Sequence, residues 1–156
     1  MKNMKKLLYL FFLLPFSLFI SCSDDNNLSP VDITLTLSGV TESDDVFITV
    51  AGEEVTIEGI TAKSIEGKNS ALSNITFYLN GVPLIGTPGN PFQGTFSTEG
   101  FKAGTYNISV IGNLLQEGAS IQIFTIEYPI KVVENQEDLP ENTPEIGTYS
   151  QTIRIS

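Results

Sequence analysis

Side chains able to do acid–base or nucleophilic chemistry are few in this 156-residue chain. It has no His and a single Cys, Cys22, so it lacks the Ser-His-Asp and Cys-His sets of nucleophilic catalysis and histidine-ligated zinc. Carboxylates are the groups that remain. They form three doublets, Asp44-Asp45, Glu53-Glu54 and Glu137-Asp138, which could in principle pair for hydrolysis or bind calcium.

The sequence around these doublets favours solvated turn charge over catalysis. Glycoside hydrolysis needs two carboxyl groups that flank a cleft, one of them with a pKa raised by apolar surroundings. Each doublet stands in a polar turn instead. Glu42, Asp44 and Asp45 could bind calcium, but their spacing is not that of an EF-hand. We therefore expect a protein that is not an enzyme, with no catalytic residue, no metal site and no cofactor.

The lone cysteine follows a stretch typical of a secretion signal. Lys2, Lys5 and Lys6 precede an uncharged run from Leu7 to Ile20, as in the basic and apolar regions of a signal peptide. Fourteen helical residues reach about 21 Å, short of the roughly 30 Å hydrocarbon core of a membrane, and Pro15 interrupts them. An uncleaved membrane anchor is therefore the less favoured alternative.

Residues Leu18-Phe19-Ile20-Ser21-Cys22 resemble the lipobox of bacterial lipoproteins, with Phe19 where an aliphatic residue is usual. Ser23-Asp24-Asp25 is similar to the acidic export signal of surface lipoproteins in the Bacteroidetes. The resemblance implies that residues 1–21 are removed and that Cys22 carries the lipid. It further implies an outer-membrane protein, anchored by that lipid and facing the cell exterior.

The net charge of the chain excludes one class of partner. The whole chain carries −10, and the signal takes away three lysines and no acid, which leaves about −13. Nucleic-acid phosphates need clusters of Lys and Arg, so we expect no nucleic-acid partner. An anionic membrane also repels such a protein, so we expect the lipid, and not the protein surface, to hold it there.

Apolar residues after the signal alternate with polar ones, which predicts strands. The clearest runs are Ile33 to Leu37, Ile75 to Leu79 and Phe124 to Val132. Gly59 shifts the alternation and predicts a β-bulge, whereas Pro129 predicts an edge position or a bulge. No helical periodicity follows the signal. We predict an all-β, immunoglobulin-like β-sandwich of about seven to eight strands, with a small barrel as the alternative.

The expected organisation has four parts. Residues 1–21 are the signal, 22–31 a tether, 32–134 the sandwich and 135–156 an acidic linker with a possible terminal strand. The last segment alternates at Tyr149, Ile153 and Ile155, so both a strand and a loose tail remain open.

From Leu72 to Val110 the chain resembles bacterial immunoglobulin-like domains. The resemblance lies in Ile75–Gly81, Ile85-Gly86-Thr87, Pro91-Phe92, Thr98, Gly100 and Lys102–Tyr106. It implies a sandwich fold in a protein that binds or presents, with Tyr106 in a tyrosine corner. Ile108 then stands at the place of the second cysteine of antibody domains, and Phe77 lies on the strand that carries their Trp.

Three residues are candidates for binding a protein or glycan ligand. Tyr78 points away from the predicted core face and could stack on a sugar, although a cross-strand partner is the preferred interpretation. Leu114 and Leu115 fall in a predicted loop, Gly112–Ser120, at the same end as the loop Lys63–Ser73. A cap on the core is slightly favoured for this pair.

The predicted function is therefore a non-catalytic binding or adhesion role, with an accessory role in glycan uptake as one form of it. A carboxylate-based hydrolase and a structural subunit of a surface assembly, docking by its C-terminal strand, are the alternatives.

Overall fold

The computed structural model describes residues 29–87, 90–141 and 146–154. This part of the chain is built of strands, with one short 3-10 helix at Gln136–Asp138. The signal peptide, Cys22 and most of the predicted tether lie outside the described residues. The strands are β1 (Val31–Ser38), β2 (Thr41–Ser43), β3 (Val46–Val50), β4 (Glu54–Ser64), β5 (Ser70–Leu79), β6 (Val82–Thr87), β7 (Gly94–Ser97), β8 (Gly104–Gln116), β9 (Gln122–Val133) and β10 (Ile146–Ile153).

The strands form two sheets, in the orders β10-β1-β4-β7 and β2-β3-β9-β8-β5-β6. Every pair is antiparallel except β3 and β9, which run parallel. The protein is an all-β sandwich, and the order β9-β8-β5-β6 in its larger sheet is the one that strands G-F-C-C′ have in immunoglobulin domains. The ten strands exceed the seven or eight predicted, partly because β2 has only three residues and β10 falls in the segment left open as strand or tail.

The core lies between the sheets, and the predicted faces are confirmed. Ile33, Leu35 and Leu37 of β1 and Ile75 and Phe77 of β5 belong to this core, and all five are fully buried. The residues between them, on the opposite faces of the two strands, are half-buried. The alternation in the sequence therefore gave the inward face of these strands correctly.

Two irregularities predicted from single residues are also present. Thr36 of β1 pairs with Gly59 of β4, but the next residue, Leu37, pairs with Ile57, so the register of β4 shifts by one residue. This shift is the β-bulge predicted at Gly59. β9, which contains Pro129, lies between β8 and β3 in the larger sheet. The pairing with β3 begins only at Ile130, so β9 has a free edge on that side at Pro129. The missing N–H of the proline therefore removes no hydrogen bond from the sheet.

The tyrosine corner forms where β8 begins. The Tyr106 hydroxyl donates a hydrogen bond to the carbonyl oxygen of Lys102 at 2.9 Å, and the ring packs edge-on against Phe101. This geometry is the one expected of the motif, in which the hydroxyl bonds back to backbone a few residues upstream.

β10 covers one open side of the sandwich. It pairs with β1 over eight residues, and its Tyr149 ring lies 5.5 Å from Tyr128 and 6.3 Å from Phe47. The Gln151 side chain donates to the carbonyl oxygen of Glu127 on β9, in the other sheet. The last strand thus joins the two sheets at the side where β9 has no strand neighbour.

Candidate functional site

Tyr78 lies on the outer face of the larger sheet, as expected. It is half-buried, with Pro83 of β6 opposite on one side and Ser109 of β8 on the other. Ile111 is diagonal to it on β8, within reach of an aromatic side chain. The ring therefore has both the cross-strand neighbours of the preferred interpretation and an exposed part able to stack on a ligand.

The predicted loop around Leu114 and Leu115 is wrong. β8 continues to Gln116, so the turn spans only 117–121, and β5 begins at Ser70, which reduces the other loop to 65–69. Because the two leucines are adjacent on a strand, they point to opposite faces. Leu114 is 0% exposed and lies in the core, whereas Leu115 is 37% exposed on the outer face. Leu114 therefore cannot contact a partner directly.

The larger sheet carries a row of apolar side chains on its outer face. Ile111 and Leu115 of β8 and Ile123 of β9 are exposed, the last to 80%. Asn113 and Thr125 lie between them in the paired register, and Tyr78 extends the row on β5. We call Tyr78, Ile111, Leu115 and Ile123 the outer strip. Exposed apolar side chains grouped among hydroxyl and amide groups are typical of contact surfaces.

The three carboxylate doublets are far from forming one site. Asp44-Asp45 makes the exposed turn between β2 and β3, with φ of 52° and 60°, and Glu53-Glu54 is exposed at the start of β4. Asp138 accepts a hydrogen bond from the backbone N–H of Asn135 and ends the 3-10 helix Gln136–Asp138. Among the residues described, no three acidic or cysteine side chains are grouped closely enough to hold a metal ion.

A cavity of about 230 Å³ opens beside β2 and β3. Its walls include the apolar side chains of Ile48, Val50 and Leu139, together with Glu53 and Gln136. Glu53 is the one carboxylate residue of this lining. The pair of carboxyl groups required for glycoside hydrolysis is therefore not supplied by this cavity.

The structure reveals a buried polar cluster that the sequence analysis missed, at the point where the chain enters the sandwich. Ser29, assigned to the tether, is fully buried. The Gln116 side chain accepts from the Ser29 N–H at 3.1 Å and donates to its carbonyl oxygen at 3.1 Å. The Ser64 hydroxyl donates to the Ser29 hydroxyl oxygen at 2.9 Å. We call Ser29, Ser64 and Gln116 the entry clamp.

The entry clamp moves the start of the domain from residue 32 to Ser29. A sequence signal for it exists, because Gln116 continues the inward parity of Gly112 and Leu114. A polar residue in an inward position at a strand end predicts a buried partner. The identity of that partner could not be read, because Ser29 lies 87 residues away in sequence.

No protein-family model matches the chain, and no curated protein is significantly similar to it. In the part of the chain that the structure describes, no helix is long and apolar enough to cross a membrane.

Proposed function

We propose that the chain is a surface-exposed outer-membrane lipoprotein, anchored through Cys22, whose sandwich binds a protein or glycan without catalysis. The address is supported by the basic and apolar regions before Cys22 and by the resemblance of residues 18–22 to a lipobox. The glycan-uptake role remains the specific form of binding that we propose.

The observation that carries the binding role is the outer strip. A sandwich that only supported other domains would gain nothing from exposing Ile111, Leu115 and Ile123 to water on one face. Tyr78 adds an aromatic surface with a polar tip, and Thr76 and Ser109 beside it supply hydroxyl groups. These are the elements of a shallow contact surface for a glycan or a peptide.

The competing functions have less support. The cavity beside β2 and β3 contains a single carboxylate residue, and the three doublets are exposed in separate turns. β10 is already paired with β1 over its whole length. It is therefore not free to be donated as a strand to another subunit, although a strand of another subunit could pair with the open edge of β10.

The anchor is tested by Cys22→Ala. We expect the variant to lose radioactive palmitate and to leave the membrane fraction, or to accumulate as the unprocessed precursor, because the acylated thiol is gone. Ser23→Ala is the matched control and should be labelled as the parent is. A Cys22→Ala protein that still incorporates palmitate and partitions into detergent would contradict the proposal.

The binding surface is tested by site-specific crosslinking on intact cells. Once lipid occupies Cys22, Tyr78→Cys gives the protein a single free thiol for a photoactivatable maleimide. We expect discrete crosslinked species from this position. The control is Thr34→Cys on the outer face of the smaller sheet, from which we expect none. Equal crosslinking from both positions would remove the support for the outer strip.

A further inference from the structure

One end of the sandwich is fixed by the entry clamp. Ser29 is held there between the end of β4 and the end of β8, and the Pro30 carbonyl oxygen accepts from the N–H of Ile65 at 3.0 Å. The turns 65–69 and 117–121 lie at this end and are joined by a bond from the Glu117 N–H to the Asn69 carbonyl oxygen. We call it the tethered end, and the opposite end the far end.

The tethered end stays close to the residue that carries the lipid in the proposed function, on which this inference rests. Cys22 precedes Ser29 by seven positions. Even a fully extended chain of seven residues spans at most about 25 Å. The distance from Cys22 to the sandwich could increase only if the chain at Ser29 separated from β8. That separation would break the hydrogen bonds that the buried Ser29 N–H and C=O make with Gln116.

Apolar side chains surround the point of entry. Ile65 in the first turn is 58% exposed and Ile121 in the second is 63% exposed. Ile123, two residues into β9, is 80% exposed. A turn at the end of a sandwich is normally polar, so the exposed isoleucines of these two turns form a surface suited to the boundary between lipid headgroups and acyl chains.

The charges of the two ends differ. Among the described residues of the tethered end, Lys63, Lys68 and Arg154 balance Asp32, Glu66 and Glu117, while the tether itself adds Asp24 and Asp25. The far end has two cations, Lys102 and Lys131, against eight carboxylates: Glu53, Glu54, Glu58, Glu99, Glu134, Glu137, Asp138 and Glu141. An anionic bilayer surface therefore repels the far end more strongly than the tethered end.

We propose that the tethered end rests on the lipid surface, with Ile65 and Ile121 at the depth of the headgroups. The lipid on Cys22 keeps this end at a high local concentration beside the bilayer, so a weak apolar contact is enough to hold it. The far end then points away from the membrane. Tyr78 and Ile111, which lie farther along the sheet, remain accessible to a partner.

The test uses the absence of Trp from the chain. Ile121→Trp in the lipidated full-length mature protein places a single reporter at the tethered end. Val82→Trp is the matched control, because Val82 is as exposed as Ile121, at 64%, but lies far from the tethered end. Val82 pairs with Leu79, and Leu79 pairs with Ile108 of β8. Ile108 is eight residues along β8 from Gln116, or about 26 Å. Both proteins are reconstituted in phosphatidylcholine vesicles with brominated acyl chains.

We expect a blue shift and loss of emission for Ile121→Trp, and an unchanged spectrum for Val82→Trp. Quenching of both reporters, or of neither, would overturn the proposed orientation. Palmitate labelling of the same preparation separates the two claims. A labelled protein with an unquenched Ile121→Trp contradicts the orientation alone, whereas an unlabelled protein contradicts the anchor and the orientation with it.

A second measurement needs no variant. Amide hydrogen exchange of the lipidated protein should slow in the turns 65–69 and 117–121 when detergent is replaced by vesicles. The turn at Asn80-Gly81 serves as the internal control and should not change. A different protein partner is absent from vesicles of pure lipid, and contact with a second copy would weaken as the protein is diluted in the vesicles, so slowing that persists on dilution supports the lipid contact, and slowing that disappears contradicts it. Unchanged exchange in both turns contradicts it.

Discussion

Gln116 and Ser29 exchange two hydrogen bonds where the chain enters the first strand. A side-chain amide, with a donating NH2 group and an accepting oxygen, can satisfy both the N–H and the C=O of one residue's backbone as a neighbouring strand would. Ser29 is thereby paired although it precedes β1. The clamp gives the domain a fixed starting point for whatever precedes it.

Gln116→Leu keeps the size of the side chain and removes both bonds. The buried N–H and C=O of Ser29 would be left without partners, at about 1–3 kcal/mol each, so we expect a loss of about 2–6 kcal/mol in the free energy of unfolding. Urea denaturation of the soluble mature domain measures it. Gln93→Leu is the control, since Gln93 is exposed and makes one surface bond to Glu58; its loss should stay within about 0.5 kcal/mol. Equal losses would show that the clamp does not stabilise the domain.

Two tyrosine hydroxyls differ in what surrounds them. Tyr128 is fully buried and donates to the Ile33 carbonyl oxygen of the other sheet at 2.9 Å, whereas the Tyr106 hydroxyl bonds at an exposed corner. Burial, and secondarily the neighbouring Tyr149, raise the pKa of Tyr128 far above its ordinary value of 10.0. The folded protein therefore holds this proton more tightly than the unfolded chain does.

Stability should accordingly fall as the pH rises above about 10, where the unfolded chain releases the Tyr128 proton and the folded protein keeps it. Below that pH the difference in pKa has no effect on stability. Tyr128→Phe should remove this alkaline slope and cost about 1–3 kcal/mol at neutral pH, against about 0.5–1.5 kcal/mol for Tyr106→Phe. Denaturation from pH 7 to 11 measures both effects. An unchanged slope in Tyr128→Phe would show that other groups control alkaline unfolding.

Much of each long strand could be predicted at the scale of the element. The inward faces of β1, β5 and β9 followed from strict alternation, and Gly59 and Pro129 marked local irregularities correctly. The C-terminal end of β8 and the N-terminal end of β5 could not be predicted from the alternation. Gly112-Asn113 and the leucine pair after it have the composition of a turn. What overrides this composition is packing: Gly112 is the position where the side chains of Ile75 and Phe124 fill the core.

Gly112→Ala tests that packing. A Cβ at Gly112 would stand 2.3 Å from Cδ1 of Ile75 and 3.1 Å from Cε1 of Phe124, in a core where Ile75 is fully buried. We expect a loss of about 1–3 kcal/mol from overpacking. Gly59→Ala in β4 is the matched control, because nothing lies within 4 Å of its Cβ, and it should be nearly neutral. Thermal melts of the two variants decide whether β8 passes this close to β5.

At the scale of the whole molecule, net charge says nothing about where the charge lies. A charge of about −13 after residue 21 led to the expectation that the protein surface is repelled by a membrane, which stays a prediction. In the structure the far end has eight carboxylates against two cations, whereas the cations and carboxylates described at the tethered end are equal in number. Composition gives the sum of the charges but not their positions, which depend on strand pairings between distant residues. The candidate site was limited in the same way: Tyr78 could be placed from local alternation, whereas the entry clamp and the outer strip could not.

Closure of the sandwich by β10 depends on one side chain more than on the rest of that strand. Tyr149 packs edge-on against Tyr128 and Phe47, so Tyr149→Ala should cost about 2–3 kcal/mol, less than for a fully buried ring. Ile146→Ala, on the same strand but 55% exposed, should change the free energy of unfolding by less than about 0.5 kcal/mol. Chemical denaturation compares the two. Equal effects would mean that β10 is held by its ladder bonds alone.

The pairing of β1 with β10 also bears on when this protein can fold. Val31 pairs with Ile153, so the first strand of the sandwich is completed by the last. Contacts between residues so far apart close the longest loops and form slowly. If the chain is exported from its N-terminus, as the proposed function requires, β1 crosses the inner membrane while β10 is still inside the cell. The smaller sheet would then lack its edge strand until transfer is complete, which would keep the chain from closing while it is threaded through the membrane.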